Sequence, residues 1–190
     1  MSERKYVLDT SLFVNPQARK SFGKSPSAAI RGLVKALKGL DLDIYMPPSI
    51  RAELRNFITS DAMDELDLVI KKRAPNVYSI YLPAAVFYDF IDDIRIRINK
   101  GLRLAEEFAK DNRPENDIKL GKLREKYREA MRTGIIDSKE DFELVLLAKE
   151  LEATLVSSDE GVVKFANEIG CSTLAAEKFY PLLKKLKKTK

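Results

Sequence analysis

What most constrains this chain is a set of short apolar runs, each closed by a turn or an acid and followed by residues at helical spacing. Tyr6-Val7-Leu8 ends at Asp9, with Thr10 and Ser11 opening a turn. Asp43-Ile44-Tyr45-Met46 ends at Pro47-Pro48-Ser49, and Ala153-Thr154-Leu155-Val156 runs into Ser157-Ser158-Asp159. A further short run lies near Cys171 to Leu174. Between them stand helical patterns. Ser25 caps a segment with Ile30, Leu33, Val34 and Leu37 on one face that stops at Gly39, and a helix after Ser49 carries Glu53, Leu54, Phe57 and Ile58. Another runs from about Asp61 to Lys72, before the Pro75-Asn76 break. Later helices are expected at Asp137 to Leu151, at Gly161 to Ile169 and over the lysine-rich end. Alternation of strand and helix predicts an α/β fold with a mostly parallel sheet flanked by helices.

The pattern changes at Pro83. Phe87, Phe90, Ile91, Ile94, Ile98, Leu102, Ala105 and Phe108 keep helical spacing over nearly 30 residues, a rod of roughly 40 Å. Asn112-Arg113-Pro114 breaks it, and a second helix is expected from Glu115 to Gly134 with Leu120, Leu123, Tyr127 and Met131 on one face. These segments predict a projecting helical hairpin, residues 84–133, inserted in a domain formed by residues 1–83 and 134–190. The 190-residue length suits one domain plus such an excursion.

Composition narrows the chemistry. There is no histidine and one cysteine, Cys171, so an imidazole base, a Cys/His zinc site, a Ser-His-Asp triad and an internal disulfide are all excluded. No stretch approaches the ~20 apolar residues of a membrane span, and the residues before Asp9 lack a signal-peptide core. A cytoplasmic protein with no membrane partner is expected.

Carboxylates remain. In a parallel sheet, ligands bind outside the carboxyl ends of the strands, where Asp9 and Asp159 fall. Asp137 and Asp141 stand four apart at a helix start, a spacing that places them on one face. Singly, each acid also suits a helix cap or turn. Together, four short acids repel one another unless a cation joins them. Hard oxygen ligands favour Mg²⁺, with Mn²⁺ as a substitute, and a two-ion arrangement would suit phosphodiester hydrolysis giving a 5′-phosphate.

The net charge of +5 is unevenly spread. Residues 95–132 carry 12 Lys/Arg against 7 Asp/Glu, residues 178–190 carry 6 lysines and no acid, and the rest of the chain is −6. On the second hairpin helix Arg124, Arg128 and Arg132 form an i, i+4, i+8 row, while Lys119, Lys122 and Lys126 line the other flank of the apolar stripe. Such rows suit a nucleic-acid phosphate backbone. The apolar side of the rod also suits another subunit, with Tyr81 to Ile94 and Phe179 to Leu186 as candidate interface segments.

YVLDTS, the helix bearing Glu53, Asp141 and the LVSSDEG strand exit resemble the PIN-domain nucleases. VLDTSLFVNP, IYMPPS, RIRINKGLRLAEE, LREKYREAMRTGIIDSKED and ELEATLVSSDEG resemble, over nearly the whole chain, the small protein-only ribonuclease P family known as homologues of Aquifex RNase P. The resemblance implies a PIN-like sheet and removal of the 5′ leader from precursor tRNA without an RNA subunit. Its catalytic and metal-binding acids fall on Asp9, Asp137, Asp141 and Asp159, with Glu53 matching a further acid of PIN helices. It also implies a homo-oligomer of dimers, a dodecamer, whose helical projection grips the tRNA elbow. Two other readings remain open at this point: a toxin-type PIN endoribonuclease, which has no need of the hairpin, and a non-catalytic RNA-ligase partner, which gains nothing from concentrated acid facing phosphate.

Overall fold

The computed structural model describes residues 4–111, 115–131 and 138–188. Five strands, β1 (Lys5–Leu8), β2 (Asp43–Met46), β3 (Lys71–Lys72), β4 (Thr154–Ser157) and β5 (Thr173–Ala175), form one all-parallel sheet in the order β3-β2-β1-β4-β5. β1 is central. Val7 pairs with Tyr45 on one side and Leu155 on the other, so the last three residues of β1, β2 and β4 are buried. Runs apolar on both faces are what a doubly covered parallel sheet requires.

The helices that cover the sheet start on local signals. α1 (Ser11–Val14) and α2 (Pro16–Arg19) follow β1, with Asn15 capping α2. Ser25 caps α3 (Pro26–Leu37) through the Ala28 amide, and Gly39 closes it at φ +78°, a backbone only glycine adopts cheaply. α4 (Pro48–Leu54) and α5 (Ser60–Asp67) follow β2, the latter capped by Thr59. α8 (Lys139–Leu151) is capped by Ser138, α9 (Glu160–Glu168) by Asp159, and α10 (Ala176–Lys188) ends the described chain. Phe13, Leu33, Leu54, Leu144 and Phe179 are fully buried between these layers, each side chain contributing about 1.5–3 kcal/mol of burial.

Three local expectations change. α4 stops at Leu54, so Phe57 lies beyond it and is exposed. α5 stops at Asp67, and Lys71–Lys72, expected at the end of that helix, instead pair with Tyr45 and Met46 as an edge strand. Lys71 is held there by Asp43 at 2.6 Å and lies over the Tyr45 ring. The terminal helix supplies no apolar interface at Phe179 and Leu183: both are buried, with Phe179 5.2 Å from the Tyr6 ring and 6.4 Å from that of Phe22.

Met1–Tyr81 and Ser138–Lys190 form one compact unit, and Leu82–Asp137 form a second. Within the second, α6 (Ala85–Lys110) and α7 (Asn116–Met131) pack together. Gly101 is buried at that packing face, where an added methyl would come within 2.7 Å of Tyr127 Cε2 and 3.3 Å of Met131 Cε. Lys126 joins the same contact, 3.9 Å from Glu107 and over the Phe108 ring. Much of the apolar face of α6 stays in solvent: Phe87, Phe90, Ile91, Ile94, Ile98 and Leu102 are all exposed. Among the described residues no helix is long and apolar enough to cross a membrane.

Candidate active site

Because all strands are parallel, their carboxyl ends share one edge, and the acids of the first unit gather there. Asp9 extends β1 by one residue, its amide donating to Val156 O at 3.1 Å, and its side chain is buried at 4% exposure. A buried carboxylate needs donors. Ser11 Oγ and Ser157 Oγ donate to its Oδ2 at 2.5 and 2.6 Å, and Thr10 Oγ1 donates to Oδ1 at 3.3 Å. Three hydroxyls therefore hold a charge that no lysine or arginine neutralises through an observed ion pair among the described residues.

The same hydroxyls bind the β4 exit to the β1 exit. Ser157 Oγ accepts from the Asp159 amide at 3.0 Å, Ser11 Oγ accepts from the Ser158 amide at 2.9 Å, and Asn15 Nδ2 donates to Ser158 Oγ at 3.1 Å. Asp159 itself caps α9, Oδ1 accepting from the Val162 amide at 3.0 Å. Its helix-capping use is thus realised. Among the described residues no hydrogen bond engages its other oxygen.

Glu53 enters from α4. Thr10 Oγ1 lies 3.5 Å from its Oε2, and although the residue as a whole is exposed its carboxyl end is pushed to a raised pKa. Loss of water is the largest cause, followed by the negative charges of Asp9 and Asp141, with Glu140 adding a smaller push and the Thr10 hydroxyl opposing. No cation is among the groups acting on it. Asp141 sits in the first turn of α8, its amide bonded to the capping Ser138 Oγ at 3.0 Å. α4 and α8 pack together, tied by Ser49 Oγ donating to Glu143 Oε2 at 2.6 Å. The structure thus brings Asp9, Glu53, Asp141 and Asp159 to one edge.

Asp137 and Arg132 lie outside the described residues. The remaining basic candidates are all on α7: Lys122, Arg124, Lys126 and Arg128 are exposed and Lys119 is half-buried. The hydroxyls of Thr10, Ser11 and Ser157 were not anticipated. The signal was present as paired hydroxyl residues beside each strand-exit acid, Asp9-Thr10-Ser11 and Ser157-Ser158-Asp159.

The donor set is carboxylate oxygen throughout, the chemistry of a hard divalent cation, and such an ion would relieve the part of the Glu53 perturbation that comes, after desolvation, from Asp9 and Asp141. Among the described residues no three acids stand close enough to share one ion.

Comparison with known proteins shows the family. Residues 5–188 match the family model described as PINc domain ribonuclease. The RNA-free ribonuclease P of Thermococcus onnurineus is 47% identical over 189 residues, covering 96% of this chain and 94% of its own. That of Pyrococcus furiosus is 44% identical over 187 residues, again covering 96% and 94%. The RNA-free ribonuclease P of Thermodesulfovibrio yellowstonii is 40% identical over 184 residues, covering 95% and 94%. A parallel-sheet chain matched over residues 5–188 by that family model, and over 95–96% of its length by such relatives, is identified: it belongs to the RNA-free ribonuclease P family of PIN-domain ribonucleases.

Proposed function

We infer that the protein is an RNA-free ribonuclease P, an endoribonuclease that removes the 5′ leader from precursor tRNA and leaves a 5′-phosphate on the mature end. The carrying observation is identity of 40–47% to relatives of that name over at least 95% of the chain. PIN nucleases are generally dependent on divalent metal, and Mg²⁺, with Mn²⁺ as substitute, is the ion we propose. Asp9, Asp137, Asp141 and Asp159 would hold it, with Glu53 as an additional acid. When bound, the ion lowers the pKa of water and neutralises charge on the reacting phosphate.

The chain's own groups do the positioning. Ser11 and Ser157 lock Asp9 in one rotamer, so its carboxylate is presented without a search through conformers. The α9 cap fixes Asp159 in the same way. Glu53, desolvated and pressed by the charges of Asp9 and Asp141 against the opposing Thr10 hydroxyl, carries its carboxyl proton to higher pH than an ordinary glutamate.

The basic surface of α7, with Lys119, Lys122, Arg124, Lys126, Arg128 and Arg132, is the proposed docking surface for the folded part of tRNA, and the segment 84–133 the arm that carries it. Phosphate contacts of this kind give affinity and placement with little sequence information. The exposed apolar face of α6 supports self-association into a homo-oligomer of dimers, a dodecamer by family resemblance, acting in the cytoplasm without an RNA subunit.

The test is a 5′-labelled precursor tRNA incubated with the protein and Mg²⁺. A cut at the mature 5′ end is expected, lost with EDTA and reduced by orders of magnitude in Asp141→Asn. A wild-type protein that leaves precursor tRNA intact overturns the reading, and cutting that survives EDTA overturns the metal.

A further inference from the structure

α4 has two opposed faces. Glu53 turns toward Asp9 and Asp141, while Arg51 and Arg55, four residues apart and both in helical conformation, share the other side. That side borders a cleft of about 220 Å³, whose walls also carry Thr59, Ser60, Met63 and Asp64.

The donors of this cleft are set in advance. Arg51 Nε and Nη2 donate to the two oxygens of Asp67 at 2.7 and 2.6 Å, a forked pair that holds the guanidinium plane and leaves Nη1 uncommitted among the described residues. Asp67 and the nearby Asp64 raise the Arg51 pKa, so its charge is answered from within the protein. Arg55 is different: its amide donates to Arg51 O at 3.3 Å, but among the described residues no hydrogen bond or ion pair engages its guanidinium. Thr59 Oγ1 accepts from the Ala62 amide at 3.4 Å, which leaves its hydroxyl proton for an outside acceptor, and Ser60 supplies a second hydroxyl. One guanidinium without an ion pair, one pre-aligned guanidinium edge and two hydroxyls outweigh the single Asp64 carboxylate in the walls and together select an anion.

Position selects which anion. Arg55 is two residues from Glu53, about 3 Å further along the axis and on the opposite face of a helix about 10–12 Å across, so the backbone must pass the end of α4 to meet both. A polyanion brought to a cluster of carboxylates is repelled by it, and the first free positive charge beyond Glu53 on that helix is Arg55.

We propose that this cleft is a phosphate subsite for the RNA backbone beside the cut, with Arg55 as the binding residue and Arg51, Thr59 and Ser60 as its supporting donors. It rests on the ribonuclease reading above and names how the substrate is held next to the acids. The contact is to phosphate and carries no base information.

The experiment compares wild type, Arg55→Gln and Arg55→Lys on precursor tRNA over a range of salt. Arg55→Gln is expected to raise KM about 5–10-fold with kcat within about twofold, to reduce the salt slope by roughly one phosphate contact, and to be partly rescued by lysine. Thermal melting should not move, because the side chain is exposed. A second arm replaces single phosphates near the cut with neutral methylphosphonates. One position should raise the wild-type KM by the same factor and add nothing in Arg55→Gln. Unchanged KM and salt slope, or methylphosphonate penalties that multiply with the substitution at every position, overturn the proposal. So does loss of inhibition by inorganic phosphate in Arg55→Gln while KM for RNA stays put, which marks a small-anion site. If wild type fails to cut precursor tRNA, the ribonuclease P reading falls by itself, and the subsite is judged on RNA binding by the same variants and salt series.

Discussion

Ser157 shows how much a hydroxyl can matter beside buried charge. It is fully buried, donates to Asp9 Oδ2 and accepts from the Asp159 amide, so Ser157→Ala strips a donor from a buried carboxylate and an acceptor from a part-buried amide at once. We expect a loss of about 1–3 kcal/mol in urea unfolding, and a higher Mg²⁺ requirement for cleavage. Glu53 makes the complementary prediction in pH. Its folded pKa is raised above the ordinary 4.5, so the folded state binds its proton more tightly than the unfolded chain does. Without divalent cation, stability should therefore fall as pH rises from 4.5 through the raised value, and Glu53→Gln should flatten that part of the profile in thermal melts. The acids themselves were legible, because strand exits in a parallel sheet are known ligand positions. Their hydroxyl partners were not. Whether Ser157 meets Asp9 depends on β4 lying beside β1, which no local pattern in Ala153–Ser157 states.

At the scale of elements, long amphipathic segments read well and short charged ones did not. α6 came through because eight apolar positions keep one period over 26 residues. β3 was missed since two lysines carry no period; it exists because β2 needs a backbone partner, and Asp43 and Asp67 hold its lysines. The reach of α4 was overestimated where apolar Phe57 and Ile58 mimic a continuing stripe. On α6, Phe90 and Ile98 are 57% and 62% exposed, so converting either to glutamate removes little burial within the chain. Phe90→Glu and Ile98→Glu should leave the melting temperature nearly unchanged while shifting sedimentation toward smaller species. Equal sedimentation to wild type would remove α6 from the proposed interface.

Across the whole molecule, the residues of the two proposed roles fall in different units. Acids collect at the sheet edge of the first, and the exposed basic residues of α7 belong to the second. Neutralising Lys122 and Arg128 together should raise KM for precursor tRNA and reduce its salt dependence by about two phosphate contacts, with the Mg²⁺ requirement unmoved. A change in Mg²⁺ requirement instead would assign those residues to the reaction centre. The doubly covered parallel sheet was legible from alternation alone, while the strand order was not, because β1 takes its second neighbour from the far end of the chain.

That order has a consequence in time. The bond from Ser157 to Asp9 spans 148 residues of sequence, and β1 cannot gain its β4 neighbour until that stretch has been made. At the roughly 5–20 residues per second of synthesis, a ribosome needs on the order of ten seconds or more between making Asp9 and making Ser157. Throughout that interval the nascent chain holds its first acid with no partner strand to complete the centre. The ribosome that makes this nuclease, itself largely RNA, therefore carries a chain whose proposed centre stays unassembled until the 148 residues from Asp9 to Ser157 have been made.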